Sequence, residues 1–237
     1  MSVFRFKQFA VDQSDCTMKV NTDGVLLGAI AATAHPRRIL DIGTGTGVIA
    51  LMLAQRFPLA SVDAIEIDVL AAQVAGKNFQ GSPFADRVAS YAVAMADFET
   101  GKTYDLIVSN PPYFLHSLKN HDKRKQVARH TDMSFFSQLL ARAAQWLAPD
   151  GSLQLVLPIP LAEQIATKAI SEYKMGVQWA IDIRSFDAHP PVRRILAIGK
   201  SANSCKTYSG DNFVIYQRKG VYSPAYRELL QDFFLSF

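Results

Sequence analysis

The sequence predicts an α/β protein: a mostly parallel sheet of seven strands, helices on both faces and one antiparallel edge strand. Three observations carry this. Short β-rich runs alternate with helix-patterned segments between residues 37 and 200, the pattern of βαβ units. The first run ends in closely spaced glycines that open a helical segment, a turn built for the carboxyl edge of a parallel sheet. The last two runs are joined by "DAHPPV", too short for a helical crossover, so they must run antiparallel in a mixed sheet.

"RRILDIG" (37–43) is a buried-strand run ending in glycine, and "TGVIALMLAQRF" (46–57) has helical composition with Pro58 as its stop. "SVDAIEID" (61–68) gives a second strand and "VLAAQVAGKNFQGS" (69–82) a second helix broken by Gly81 and Pro83. "VASYAVA" (88–94) and "YDLIVSN" (104–110) are the third and fourth strands. "FFSQLLARAAQWLAPDG" (135–151) is an amphipathic helix closed by a Pro-Asp-Gly turn, and "SLQLVLPIP" (152–160) is the fifth strand. A helix over 161–173 precedes the final pair, "GVQWAIDIRSF" (176–186) and "RRILAIGK" (193–200). The tail "YSPAYRELLQDFFLSF" combines a Pro-started amphipathic helix with aromatics, so it should pack back onto the core. The 237 residues suit a single domain: an extension over 1–35, a core over 36–200 and an appended segment over 201–237.

Composition excludes several classes. A hydrophobic fraction of 49% with 19% charged residues is that of a soluble globular chain. The N-terminal stretch has neither an apolar h-region nor a small-residue cleavage site, and no run approaches the roughly 18 apolar residues a bilayer requires. Cys16 and Cys205 form no framework and no CxxC spacing, which fits a reducing cytosol and makes a zinc site improbable. The net charge of +4 permits an anionic partner without demanding one.

"DIGTGTGV" places Asp41 two residues ahead of a turn made by Gly43, Thr44, Gly45 and Gly47. Glycines there let backbone approach a ligand, and the following helix offers free N–H groups. The spacing is GxGxG, with Val48 where a dinucleotide fingerprint has its third glycine. An acid beside the turn suits a ligand carrying an ammonium and a sulfonium better than a pyrophosphate. Glu66 ends the second strand about 20 residues on, where an acid accepts from ribose hydroxyls. Asp97, past the third strand in "MADF", either caps a turn or accepts from an adenine amino group. This Asp-x-Gly-x-Gly-x-Gly turn with its acidic second strand resembles the S-adenosylmethionine-dependent methyltransferase fold over 36–200. The resemblance implies a Rossmann-like class I sheet, S-adenosylmethionine as cofactor and Glu66 on its ribose.

The fourth strand ends in "SNPPYF". An amino group on adenine or an amide is a poor nucleophile because its lone pair is delocalised. The Asn110 side-chain carbonyl and the Pro111 carbonyl can each accept one N–H, aiming the lone pair at a methyl group. Pro111 and Pro112 restrict the loop so that these acceptors are set beforehand. Tyr113 offers a face on which a flat base stacks. Without ligands, the same residues read as a Pro-Pro strand stop. The motif resembles that of methyltransferases acting on adenine N6 in nucleic acid or on glutamine in release factors, which puts Asn110 against the cofactor as well as the substrate.

"HSLKNHDKRKQVARHTD" (116–132) follows at once, with Lys119, Lys123, Arg124, Lys125 and Arg129 against Asp122 and Asp132. It is either a solvated loop or a phosphate grip beside an extruded base. His116, His121 and His130 lack a repeated ligand spacing, so no metal is expected. "FRFKQFAVDQSDCTMKVNTDGVLLGA", "ARHTD", "NPPYF" and "YSPAYRELLQDFFL" together resemble the bacterial tRNA1(Val) adenine-N6 methyltransferase family over essentially the whole chain. Thr22-Asp23-Gly24 is most simply the N-cap of a helix over 25–34; the resemblance also sets Thr22 near the methionine end of the cofactor. It implies a cytoplasmic enzyme that methylates N6 of the adenine next to the anticodon, position 37, of one valine tRNA. The alternatives are glutamine methylation on a translation factor and a non-catalytic RNA-binding protein on the same fold.

Overall fold

The computed structural model describes residues 3–14, 16, 18–112, 123–200 and 211–237, with 123–132 described by backbone alone. The chain opens with an antiparallel hairpin of β1 (Val3–Arg5) and β2 (Ala10–Asp12), Phe4 opposite Val11. A loop leads to α1 (Thr22–Ile30). The expected alternation follows as β3 (Arg38–Ile42), α2 (Val48–Arg56), β4 (Ser61–Glu66), α3 (Val69–Gln80), β5 (Val88–Ala92), β6 (Tyr104–Ser109), α4 (Lys123–Trp146), β7 (Leu147–Leu157), α5 (Ile159–Tyr173), β8 (Gly176–Phe186) and β9 (Arg193–Gly199). The tail supplies β10 (Asp211–Arg218), β11 (Val221–Tyr222) and α6 (Pro224–Leu230).

Strands β3 to β11 form one sheet in the order β11-β10-β8-β9-β7-β6-β3-β4-β5. All seven expected strands are present, and the tail extends the sheet to nine because "DNFVIYQR" pairs parallel with the outer edge of β8. The short link forces β8 and β9 antiparallel as expected. Strand β9 is not itself the edge, however: its other side pairs antiparallel with β7, so it lies inside the sheet. The antiparallel strand at the edge is β11.

Two buried clusters cover the two faces. Along β3 and β6, Ile39, Leu106 and Val108 join the cluster that includes α1 and α2, while Leu40, Ile42 and Ile107 join the one that includes α4 and α5. That is the period-two alternation of strands covered on both sides. Tyr226, Leu230 and Phe233 of the tail share the first cluster with Phe6 and Val11 of the opening hairpin. Phe6 bridges to Phe234, and the Lys7 N–H donates to the Phe233 carbonyl at 2.8 Å.

Two local expectations are corrected. The Pro-Asp-Gly segment lies within β7, whose register against β6 jumps from Tyr104↔Leu147 to Leu106↔Ser152, so it is a bulge in a longer strand. The 116–132 segment is not a loop throughout, since α4 begins at Lys123; neither glycine nor proline interrupts it before Pro149. Among the described residues no helix is long and apolar enough to cross a membrane.

The chain passes from β3 outward to β4 and β5, then returns to place β6 on the other side of β3. Loops leaving β3 and β6 therefore diverge, and a crevice opens at their carboxyl ends.

Candidate active site

The turn after β3 demands left-handed backbone. Gly43, Gly45 and Gly47 have φ of +71°, +55° and +83°, values that side chains with a Cβ resist. The N–H groups of Gly43 and Thr44 both donate to the Ile65 carbonyl, at 2.9 and 3.1 Å, tying the turn to β4. A Cβ on Gly43 or Gly45 would meet nothing within 4 Å, whereas one on Gly47 would lie 2.4 Å from the Phe79 ring. The first two glycines thus leave an open cradle, and the third closes α2 against α3.

Asp41 does not face that cradle. It is fully buried on the α1–α2 side of the sheet and is not among the cavity's lining residues. The Thr44 hydroxyl donates to its Oδ2 at 2.6 Å. Its Oδ1 makes no hydrogen bond, though the nearby Ala50 N–H steadies the charge. Burial pushes the carboxyl up to about 7, with Glu66 adding in the same direction and the Thr44 bond opposing. A cation above the turn would answer this under-satisfied acid.

Glu66 lies on the cavity wall. Its Oε2 accepts from the Gly45 N–H and its Oε1 from the Asp68 N–H, both at 3.0 Å. Each oxygen keeps a further lone pair for a hydroxyl. Asp68 in turn caps α3, accepting from the N–H groups of Leu70 and Ala71. Between them Ile67 is 74% exposed and lines the cavity. Sequence reasoning passed over it; its signal is an apolar residue directly behind a strand-end acid. Asp97 stands apart from the other site residues. Val93, Ala94, Met95 and Ala96 line the cavity, but Asp97 is exposed one residue beyond, its N–H donating to the Ala94 carbonyl at 3.0 Å.

The β6 end joins this edge through Ser109, whose hydroxyl donates to the Ile42 carbonyl at 2.7 Å. Asn110, Pro111 and Pro112 then form a wall common to two spaces. The inner cavity, about 500 Å³, runs from the glycine turn past Glu66 and Ile67. The outer one, also about 500 Å³, shares Met18 and Asn21 with it as well and adds Thr22 and Asp23. Both fall within the roughly 300–1,000 Å³ of small-molecule sites.

Asn21, not Thr22-Asp23-Gly24, caps α1: its Oδ1 accepts from the Gly24 N–H at 2.9 Å. Three adjacent residues of cap-forming type stood in the sequence, and the structure uses the first. Thr22 is exposed and lines only the outer space. Asp23 pairs with Arg193 at 2.9 Å. Asn21 lines both spaces and is a residue the sequence reading did not single out.

Tyr113 and Lys119 lie outside the described residues, and Lys123, Arg124, Lys125 and Arg129 are placed as backbone in the opening turns of α4. Among the described residues no group of three or more His, Cys, Asp or Glu could hold a metal ion.

The methyltransferase small domain family matches residues 16–174. A tRNA1(Val) (adenine(37)-N6)-methyltransferase from Pedobacter heparinus is 50% identical, over 100% of this chain and 99% of that one. Another of the same description, from Porphyromonas gingivalis, is 40% identical over 98% of this chain and 94% of its own length. Among solved structures, a predicted O-methyltransferase from Agrobacterium tumefaciens superimposes with a TM-score of 0.66 at 18% identity, covering 89% of this chain and 96% of that one. The ribosomal protein L11 methylase from Lactobacillus delbrueckii subsp. bulgaricus gives 0.56 at 19% identity, covering 80% and 83%. At such identities the structural likeness speaks for the fold.

Proposed function

The chain belongs to the tRNA1(Val) (adenine(37)-N6)-methyltransferase family, and on that premise we propose that it carries a methyl group from S-adenosylmethionine to N6 of the adenine beside the anticodon of a valine tRNA. The observation that carries this is Asn110, set in the one wall shared by a nucleoside-sized cavity and an outer pocket.

The residues present fit the donor. The open cradle over Gly43 and Gly45 would receive its methionine end, with Thr44 in the turn and Asp41 as the buried acid below. Thr22 would approach that end only from the outer pocket, the one space it lines. Glu66 would accept from the ribose hydroxyls and Ile67 would face the adenine, with Asp97, one residue beyond the lining, as the acceptor proposed for its amino group. When bound, the sulfonium supplies an electrophilic methyl group and departs as a neutral thioether.

The chain's own part is positioning. The Asn110 Oδ1 and Pro111 carbonyl accept the two N6–H bonds, turning the lone pair towards the methyl carbon. Positive charge grows on that nitrogen as the new bond forms, and both acceptors stabilise it until one of its protons passes to bulk water. Pro112 stiffens the wall, and Tyr113 stacks on the extruded base. Lys119, Lys123, Arg124, Lys125 and Arg129 grip phosphates of the anticodon loop. In this reading residues 1–237 act as one cytoplasmic methyltransferase domain, a view supported by the buried cluster that both ends of the chain share.

The test is transfer of labelled methyl to total tRNA lacking the modification, followed by mapping of the labelled nucleotide. Label at the adenine next to the anticodon of valine tRNA, with binding that weakens steeply as salt rises, is the expected result. Label in a protein glutamine, or cofactor-independent RNA binding without transfer, overturns it.

A further inference from the structure

We propose that Asn21 is a positioning residue for methyl transfer, setting which way the Asn110 side-chain amide faces. The inference deepens the function proposed above and rests on it.

Three contacts fix the arrangement. The Asn21 Nδ2 donates to the Lys19 carbonyl at 3.2 Å. That turns its Oδ1 towards α1, where it accepts from the Gly24 N–H at 2.9 Å. The same oxygen lies 3.5 Å from the Asn110 Nδ2. An amide oxygen accepts and never donates, so Asn110 must present its NH2 to Asn21. Flipping Asn110 would set two oxygens face to face. A planar amide whose nitrogen is engaged on one side carries its oxygen on the other, free to accept from a substrate amino group. The helix cap therefore decides which atom of Asn110 serves the base. The spacing of 3.5 Å is long for N–H···O, as such contacts often are before substrate arrives.

The segment bearing Asn21 is itself fixed: the Val20 N–H donates to the Gln13 Oε1 at 2.8 Å. Gly24 completes the fit. A Cβ there would stand 3.5 Å from the Asn110 Nδ2 and 3.6 Å from the Asn21 Oδ1, so the first turn of α1 lies directly against the asparagine pair.

Two substitutions separate capping from positioning. Asn21→Ser keeps a good cap, but its shorter side chain no longer reaches Asn110. Asn21→Asp keeps both acceptor contacts while giving up the donation to the Lys19 carbonyl. We expect Asn21→Ser to lower kcat on the order of 10- to 100-fold, with S-adenosylmethionine affinity and melting temperature close to wild type, and Asn21→Asp to recover most of kcat. The Asn110 side-chain NH2 resonances, assigned with Asn110→Asp, should shift in Asn21→Ser and remain in Asn21→Asp. Asn110-dependent transfer to tRNA in the wild type, combined with full kcat in Asn21→Ser, overturns the positioning role and leaves the functional reading standing. A wild type that transfers nothing to tRNA overturns both. A kcat loss that merely tracks a fall in melting temperature, equal for Ser and Asp, makes Asn21 a cap alone.

Discussion

The two halves of this sheet edge are held in different ways. At the β3–β4 end nearly every polar group is already engaged: Gly43 and Thr44 on Ile65, Glu66 on Gly45 and Asp68, Thr44 on Asp41. At the β6 end Asn110 has one long contact, and two prolines supply the rest of the rigidity. The first half can keep its shape between turnovers around a small ligand of constant form. The second has few fixed contacts of its own, which under the proposed function would suit a large partner that must arrive and leave.

The sharpest way to separate the halves is Asn110→Ala. Methyl transfer should fall by about 1,000-fold, while the Kd for S-adenosylmethionine, measured by calorimetry, stays within a few-fold. Full activity in that variant on purified tRNA would sink the assigned role. Gly47→Ala strikes the wiring instead, because its Cβ enters the Phe79 ring at a φ of +83°. Overpacking and left-handed strain together should cost about 2–4 kcal/mol in denaturant unfolding. A neutral result would show that the third glycine is not structurally required.

Asp41→Asn probes the buried acid. A carboxyl raised from 3.8 to about 7 binds its proton in the folded state where the unfolded chain has released it. Its contribution to stability is therefore present below pH 4 and lost as pH rises through 7, about 4 kcal/mol over the whole range and roughly 2–3 kcal/mol of it between pH 5 and 7. Melting curves between pH 5 and 8 should show that decline in the wild type and a flatter profile in Asp41→Asn; parallel profiles would contradict it. The smallest effect belongs to Glu66→Ala, with S-adenosylmethionine binding weakened about tenfold. Because Glu66 also joins Gly45 to Asp68, melting temperature should drop as well. Loss of affinity with unchanged stability would mean that this half is less interlocked than its hydrogen bonds imply.

Legibility in the sequence followed the same division. Glycines at the end of an aliphatic strand announce positive φ, and an acid ending the next strand sits at the sheet edge where such a turn opens. Both Gly43–Gly47 and Glu66 could be read without coordinates. Asp41 was picked out correctly as part of the turn but expected at the ligand. Only the strand's alternation, with Leu40 and Ile42 on one side, shows that it points under the turn. Asn21 was hidden by its neighbours, since Asn, Thr and Asp compete equally for a cap. Ile67 looked like an unremarkable exposed aliphatic, and its meaning depends on the cavity. The strand "DNFVIYQR" lies beyond the strand–helix alternation that ends at residue 200, and alone it gives no sign of the β8 edge it joins.

That missed strand has a further consequence. Without it the sheet would finish at β8, eleven residues long, with a row of unpaired N–H and C=O groups able to template another chain. Strand β10 covers the Ile181–Phe186 part of that row, and β11, only two residues long, pairs with the end of β10 beside Arg218 and Lys219. An edge so short and so charged gives a second molecule little to pair with. The appended tail thereby takes up much of the β8 edge that would otherwise stand open to another strand.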